Sequence, residues 1–166
     1  MAILSRMARL LKQHFFLDRI PSHASVLEIG CGEGWVRSYL KQRGVLDYTG
    51  IDIEPPASIV GDIRDWESLG IERASKDVVI AFEVIEHVDC IQACVAILKS
   101  RGYLMATSPV PRCDTVLSWM ERVGINQQRT SAHVNLLSLQ ELSQFKPVHF
   151  KKPAGIVQWA ILRKRA

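Results

Sequence analysis

A short strand that runs into a glycine-rich turn is the feature that most constrains this chain. Residues 26–29 (VLEI) are apolar apart from one glutamate, and GCGEG follows directly at residues 30–34. Apolar residues at helical spacing resume at Trp35 and continue to Arg43. Glycine adopts positive φ angles and lets a ligand approach the backbone closely. This order of elements indicates an open parallel sheet with a ligand site at the carboxyl ends of its strands.

The glycine spacing disfavours a dinucleotide site. In the G-x-G-x-x-G fingerprint the third glycine would fall at position 35, where this chain has Trp35. The carboxylates of Glu28 and Glu33 would also lie near a pyrophosphate, which is electrostatically unfavourable. A cationic ligand therefore fits the turn better, and a nucleotide-dependent dehydrogenase is the rival enzyme class.

Strands and helices alternate along the rest of the chain, which predicts an α/β fold: a Rossmann-like parallel sheet with helices on both faces. The last two strands are close enough in sequence to form an antiparallel C-terminal hairpin, giving about seven strands. The predicted strands are 25–29, 48–53, 58–62, 76–82, 102–107, 148–151 and 156–162. The predicted helices are 1–20, 35–43, 90–98, a short one near 115–123, and 139–145, which Ser138 and Glu141 would cap.

Composition describes an ordinary globular protein. The chain has 166 residues, 48% hydrophobic and 23% charged. These values exclude a disordered chain, and the length predicts one domain, residues 1–166. The net charge of +4 permits an anionic partner without requiring one. Basic residues gather near the end, at 151–152 and 163–165, and we interpret them as a solvated edge of the sheet.

Cysteine spacing and hydropathy indicate the compartment. The four cysteines form no C-x-x-C pair, so we interpret them as reduced thiols of a cytoplasmic protein. Basic residues interrupt every apolar stretch of segment 1–20, so we expect no signal peptide. The longest apolar runs are too short for a membrane span.

Two carboxylates follow strands on the same rim as the glycine turn. Asp52 ends the second predicted strand, where a carboxylate can accept hydrogen bonds from a ribose diol. Asp62 ends the third and could accept from an adenine amino group. Only nine residues separate the two, and Pro55-Pro56 excludes a helix between them.

The motifs VLEIGCGEG, YTGIDI, VGDIRD and DVVIAFEVIEHV resemble, in order and position, those of class I S-adenosylmethionine-dependent methyltransferases. GYLMATSPVP and HVNLLSLQEL look like the later part of that domain. The resemblance covers residues 24–162. It implies a seven-stranded sheet with an antiparallel last strand, and S-adenosylmethionine as the cofactor.

Carried over by position, the resemblance implies a set of cofactor-binding residues. The glycines would line the methionine part, Asp52 would hold the ribose hydroxyls, and Ile53 would lie against the adenine. Asp62 and the backbone of Ile63 would meet the adenine edge, and Phe82 would lie beside the cofactor. The full set is Glu28, Gly30, Cys31, Gly32, Gly34, Asp52, Ile53, Asp62, Ile63 and Phe82.

Two histidines are candidates for proton transfer. His87 and His133 are possible general bases, although a structural role fits each equally well. With Glu83 and Glu86 they resemble the metal-binding set of small-RNA 2′-O-methyltransferases. The second histidine of that set is not evident near His133, so we predict no metal site.

The predicted activity is transfer of a methyl group to an oxygen, nitrogen or carbon acceptor of unknown identity. The alternative is a cofactor-binding, non-catalytic subunit of a methyltransferase complex. Residues 108–137 are too long for an ordinary connection, so we interpret them as a substrate-side insertion that acts with helix 1–20. A homodimer or a partner subunit could complete the pocket.

Overall fold

Seven strands form one mixed sheet in the computed structural model, which describes residues 3–111 and 137–166 of the chain. The sheet order is β3-β2-β1-β4-β5-β7-β6. Strands β1 to β5 are parallel, and β7 runs antiparallel to both β5 and β6. The α/β, Rossmann-like sheet with an antiparallel C-terminal hairpin is confirmed. The strands are β1 (Val26–Ile29), β2 (Tyr48–Asp52), β3 (Ile59–Val60), β4 (Lys76–Phe82), β5 (Leu98–Pro109), β6 (Phe145–Lys151) and β7 (Val157–Lys164).

Three α-helices cover the two faces of the sheet within the described residues: α1 (Ile3–Phe15), α2 (Trp35–Gln42) and α3 (Ile91–Ile97). The core of one face contains residues of the C-terminal part of α1 and of α2, and the core of the other contains α3. Successive strand residues point to opposite faces, so Val79 packs with α3 while Ile80 packs with α1 and α2. Strand β4 is apolar along most of its length because it is buried from both sides.

The C-terminal region differs from the predicted helix 139–145. A single 3₁₀ turn, Leu139–Glu141, takes its place, and the side chain of Ser138 makes no capping hydrogen bond. The Leu139 N–H instead donates to Oε1 of Gln158, 3.0 Å away. Phe145 is buried and begins β6, three residues before the predicted strand. Tertiary packing of this apolar side chain thus overrides the local capping signal.

Several other elements differ in length from the prediction. Strand β5 (Leu98–Pro109) is longer than the predicted 102–107, whereas α1 and β3 are shorter. Helix α1 ends at Phe15, and a separate 3₁₀ turn covers Leu17–Arg19. Strand β3 has two residues, because the short segment after β2 offers little chain for pairing. The helix predicted near 115–123 lies outside the described residues. In the part of the chain that the structure describes, no helix is long and apolar enough to cross a membrane.

Candidate functional site

A cavity of about 540 Å³ opens at the carboxyl ends of β1, β2 and β4. The sheet order reverses between β1 and β4, and ligands of open α/β sheets bind at such a point. Six of the predicted site residues line this cavity: Gly30, Asp52, Ile53, Asp62, Ile63 and His87. Eight further residues complete the lining: Ile29, Ile51, Gly61, Arg64, Glu83, Val84, Val88 and Asp89.

The glycine turn between β1 and α2 requires glycine at its first position. Gly30 has a φ of 71°, and its N–H donates to the carbonyl of Ile51 at 2.9 Å. A Cβ atom at Gly30 would lie 2.6 Å from Cγ2 of Val84. Gly32 and Gly34 also have positive φ angles, and Gly34 precedes the first turn of α2. Of the three glycines Gly30 lines the cavity, whereas Gly32 and Gly34 are not among its lining residues.

Asp52 ties the glycine turn to the end of β2. Its Oδ2 accepts a hydrogen bond from the N–H of Gly32 at 2.8 Å, and its Oδ1 lies 3.4 Å from the N–H of Glu54. A carboxylate has about four acceptor positions, so these bonds leave capacity for a ligand hydroxyl. Ile53 follows with 71% of its surface exposed, at the mouth of the cavity.

Asp62 is held by Arg64, a partner that sequence reasoning missed. The guanidinium of Arg64 contacts both carboxylate oxygens, with Nη2 2.6 Å from Oδ2. The Arg64 backbone N–H donates to Oδ1, which begins the 3₁₀ turn Ile63–Asp65. These hydrogen bonds hold the pKa of Asp62 below its usual range. Asp62 is thus an ionised and oriented carboxylate, next to the buried Ile63.

Glu28 and Cys31 lie behind the turn and do not line the cavity. Glu28 is buried and accepts a hydrogen bond from the hydroxyl of Tyr48. Burial raises the pKa of Glu28 to about 8 and, together with the charge of Glu28, the pKa of the Cys31 thiol to about 11. Cys31 packs against Gly50, where a Cβ would lie 2.8 Å from its Sγ. Both residues therefore support the shape of the turn.

Phe82 belongs to an aromatic cluster at the end of β4. Its ring stacks on Trp35 with centroids 6.3 Å apart and contacts Phe16 at 4.9 Å. Phe16 in turn packs on Trp159 of β7 at 5.5 Å. The cluster joins α1, α2 and two strands beside the cavity, although Phe82 itself is not among the lining residues.

A second residue that sequence reasoning missed is Lys12. Only 8% of its surface is exposed, and its Nζ lies 2.7 Å from Oε1 of Glu83 and 5.3 Å from the Phe82 ring centroid. Lys12 stands three and four residues before the buried Phe15 and Phe16, so helical spacing placed it on the inward face of α1. The spacing of Lys12 from these two phenylalanines is therefore the sequence signal that could have identified it as a buried residue near the site.

Glu83 occupies a strained backbone position at the end of β4. Its φ is 60°, a value that non-glycine residues adopt rarely and mostly at sites where surrounding structure holds them. Its N–H lies 3.1 Å from both the carbonyl oxygen and Oγ1 of Thr107 on β5. The carboxylate that lines the cavity is therefore fixed by a neighbouring strand and by α1.

Glu86 and His87 follow in the same loop. Glu86 is buried, burial raises its pKa to about 7, and its Oε2 has no hydrogen-bond partner in the described structure. His87 lines the cavity, and its N–H donates to the carbonyl of Val84 at 2.8 Å. His133 lies outside the described residues. Among residues 3–111 and 137–166 no three His, Cys, Asp or Glu side chains are placed to share a metal ion, and the absence of a metal site stays a prediction.

The buried carboxyls predict a pH dependence of stability. The folded chain keeps the proton on Glu28 up to about pH 8, whereas the unfolded chain releases it near its ordinary pKa of 4.5. The unfolded state therefore binds fewer protons between these values, and the free energy of unfolding falls as pH rises. Glu28→Gln keeps an acceptor for Tyr48 without titrating. We expect the free energy of unfolding of the Glu28→Gln variant, measured by urea denaturation, to differ less between about pH 5 and about pH 8 than that of the wild type.

Glu33→Gln, in the exposed part of the same turn, is the matched control and should leave the wild-type pH dependence intact. Glu86→Gln should act in the same direction as Glu28→Gln, because burial also raises the pKa of Glu86. An unchanged pH slope in Glu28→Gln would contradict a buried, protonated Glu28.

Comparison with known proteins agrees with the geometry of this site. The chain matches a family model described as a methyltransferase domain over residues 3–145. No curated protein matches it significantly. Geranyl diphosphate methyltransferase, solved in complex with S-adenosylmethionine, is 14% identical with a TM-score of 0.65 over 98% of this chain and 88% of its own.

Two archaeal structures are similar to the same extent. A methyltransferase from Methanosarcina mazei described as S-adenosylmethionine-dependent is 16% identical, with a TM-score of 0.63 over 91% of this chain and 96% of its own. A chain of the Haloferax volcanii complex between the Trm112 methyltransferase activator and a methyltransferase is 14% identical, with a TM-score of 0.67 over 93% and 89%. At these identities the structures establish the fold, and the family model spans most of the chain. The chain therefore belongs to the family described as a methyltransferase domain, and it has the Rossmann-like fold of these solved methyltransferases.

Proposed function

We propose that this chain binds S-adenosylmethionine in the cavity at the carboxyl ends of β1, β2 and β4 and transfers its methyl group to an oxygen, nitrogen or carbon acceptor. The observation that carries the proposal is the glycine turn held against Asp52 by the 2.8 Å hydrogen bond from Gly32. Bare backbone beside a carboxylate with spare acceptor positions suits a nucleoside with a free ribose diol.

The charge of the cavity supports a cationic ligand. Its lining contains the carboxylates of Asp52, Asp62, Glu83 and Asp89, against Arg64 as the one Lys or Arg among the lining residues described. Arg64 is already paired with Asp62, and Glu83 with Lys12, which leaves Asp52 and Asp89 without a Lys or Arg partner among the described residues. A negative cavity attracts a sulfonium and repels a pyrophosphate. This balance favours S-adenosylmethionine over the nicotinamide dinucleotide of the rival dehydrogenase hypothesis.

The residues present fit the cofactor part by part. The backbone of Gly30, Gly32 and Gly34 would line its methionine part, since no Cβ stands in the way. Asp52 would accept from the ribose hydroxyls. The adenine would lie near Ile53, Asp62 and Ile63, with Phe82 behind the rim. Glu28 and Cys31 would act through the shape of the turn.

The acceptor is proposed to approach over α1 and the segment 108–137, of which residues 112–136 lie outside the described residues. When bound, S-adenosylmethionine supplies an electrophilic methyl group, so the chain must mainly position the two reactants. Glu83 is fixed by Lys12 at the end of β4, beside the loop that carries His87. His87 and His133 remain the proposed proton acceptors for an acceptor hydroxyl or amine.

A second candidate function is that of a cofactor-binding subunit whose pocket a partner completes. The similarity to a chain solved with the Trm112 activator favours it. In that case residues 1–166 would be one methyltransferase domain that gains activity with a partner or a second copy of itself.

Two measurements test the proposal. Titration calorimetry should show binding of S-adenosylmethionine or S-adenosylhomocysteine and weaker or absent binding of NAD. Transfer of radiolabelled methyl from S-adenosylmethionine to fractions of a cell extract is then measured with and without EDTA. It should reveal the acceptor class, and it should persist when EDTA is present. Preferential binding of NAD would overturn the proposal. Binding without transfer would support the subunit alternative, and transfer that EDTA abolishes would overturn the predicted absence of a metal.

A further inference from the structure

The net positive charge of this chain lies entirely in its last strands. All 17 Asp and Glu residues occur at or before Glu141, while residues 142–166 contain six Lys and Arg. The first 141 residues consequently carry a net charge of −2, from 15 Lys and Arg against 17 Asp and Glu. Such asymmetry within one chain marks a surface for an anionic partner more clearly than the overall charge does.

The fold concentrates part of this charge in one cleft. A concave site of about 570 Å³ lies at the end of the sheet opposite the cofactor cavity, where β5 and β6 begin and β7 ends. The residues lining it are Arg101, Lys146, Arg163, Lys164, Arg165 and Ala166. Lys146 and Arg163 stand directly opposite each other on β6 and β7.

None of these five cations pairs with a carboxylate within the described residues, although six Lys or Arg side chains form such pairs elsewhere in them. Lys164 donates to the carbonyl of Leu98 at 2.8 Å, and Nε of Arg165 donates to the carbonyl of Phe145 at 3.1 Å. These bonds orient the two side chains without neutralising them. Among the described residues the cleft is therefore a cluster of cations without Asp or Glu partners, and hydrogen bonds hold two of them.

The cleft also carries features that weaken the isolated fold. The Nε of Arg163 is buried with no hydrogen-bond partner among the residues described, which leaves a donor unsatisfied. Like charges directly opposite on antiparallel strands, as at Lys146 and Arg163, are destabilising. Arg101 has a φ of 64°. An anion in the cleft would relieve the repulsion between Lys146 and Arg163.

We propose that this cleft and the adjoining edge strand β6 bind the phosphate backbone of a nucleic acid. Arginine guanidiniums match phosphate oxygens in a bidentate way. Apart from Ala166 every lining residue is cationic, so no aromatic or large apolar surface is present for a base or an acyl chain. Contact with phosphates alone gives binding without sequence preference.

The positions of the Lys and Arg residues along β6 favour an extended anionic ligand over a small one. Beyond the cleft, Lys151 and Lys152 are exposed at the far end of β6. Seven strand residues cover about 20 Å. The cleft at one end of β6 and the two lysines at the other can therefore contact phosphates that are several nucleotides apart. A single small phosphate would use only the cleft, and a flat bilayer would not enter it. The cleft itself lies at the end of the sheet opposite the cofactor cavity, whereas Lys151 and Lys152 lie at the cavity end of β6. The proposal rests on the charge of this surface and not on the methyltransferase activity.

The test is binding of the full chain to fluorescently labelled nucleic acid, measured by anisotropy over a series of salt concentrations. The probes are a mixed-sequence single-stranded RNA, an RNA duplex and a DNA duplex. The double variant Arg101→Gln/Lys146→Gln removes two exposed cleft cations whose side chains make no hydrogen bond to the rest of the described chain. Arg37→Gln/Lys41→Gln, on the exposed face of α2, removes the same charge elsewhere.

We expect the wild-type chain to bind at least one probe, with log affinity falling linearly as log salt rises. The cleft variant should lose about tenfold or more in affinity, and its salt slope should fall by about 2, for two lost phosphate contacts. The α2 variant should keep the wild-type slope. Absence of binding to all three probes would overturn the proposal, as would equal losses in both variants.

A further binding experiment with lipid vesicles distinguishes nucleic acid from an anionic membrane surface as the partner. Vesicles of phosphatidylcholine with phosphatidylserine are offered to the same proteins in a sedimentation assay. Binding to these vesicles without binding to the nucleic acid probes would overturn the proposal in favour of a lipid surface. Circular dichroism of each variant checks that it is folded, so that a loss of binding reports on the cleft.

Discussion

Replacing Asp52 by alanine is expected to weaken the binding of S-adenosylmethionine by about 1.5–3 kcal/mol, which is a loss of roughly 10- to 150-fold in affinity. Two effects act together. The ribose diol loses its charged acceptor. The N–H of Gly32 also loses its hydrogen bond to Oδ2 of Asp52, 2.8 Å away, which holds the glycine turn in place. Titration calorimetry with S-adenosylhomocysteine measures the loss directly.

Two further variants separate these effects. Asp52→Asn keeps an oxygen for the Gly32 N–H but removes the charge, so we expect an intermediate affinity. Asp47→Ala removes a carboxylate just before the amino end of β2, where it pairs with Lys76 at the surface, and should bind as wild type does. An Asp52→Ala protein with wild-type affinity would contradict the proposed position of the ribose.

Phe16→Ala is expected to destabilise the fold by about 3–5 kcal/mol, the range for deleting a large buried aromatic side chain. The Phe16 side chain is completely buried and packs on the rings of Phe15, Phe82 and Trp159. Its removal leaves a cavity between α1 and the sheet that rigid strands cannot close. Urea denaturation measures the change in the free energy of unfolding.

Leu10→Ala is the matched control for Phe16→Ala, because Leu10 lies on α1, which ends directly before Phe16, and has 63% of its surface exposed. We expect a change within about 0.5 kcal/mol. If both variants lost the same small amount, α1 would not be docked on the core as the aromatic cluster implies, and the Lys12–Glu83 contact would have no firm support.

Much of the sheet could be predicted because its strands carry their own signal. The continuous apolar run of β4 and the glycines after β1 depend on burial and on backbone geometry, both of which are local in the sequence. The helix predicted at 139–145 failed for the opposite reason. Ser138 and Glu141 satisfy a capping pattern, but the buried Phe145 begins β6 and the Leu139 N–H donates to Gln158 of β7, and these tertiary contacts are not visible in the local sequence.

The site residues whose positions follow from the ends of strands could be predicted from the sequence. The contacts between their side chains could not. Gly30 and Asp52 follow from strand ends, and both line the cavity. The ion pair of Arg64 with Asp62 and that of Lys12 with Glu83 became visible only in the folded structure. Lys12 and Glu83 are 71 positions apart, so no spacing rule connects them.

The two outer strands of the sheet bear on how this protein can associate. Strand β3 offers only two residues for pairing. Strand β6 has Pro147, which lacks an N–H, a break in register between Pro147 and His149, and exposed lysines on either side. Short, interrupted and charged edges resist the addition of another strand. Self-association or recruitment of a partner subunit should therefore proceed through helices and loops, and the exposed backbone of the sheet should not seed fibrous aggregation.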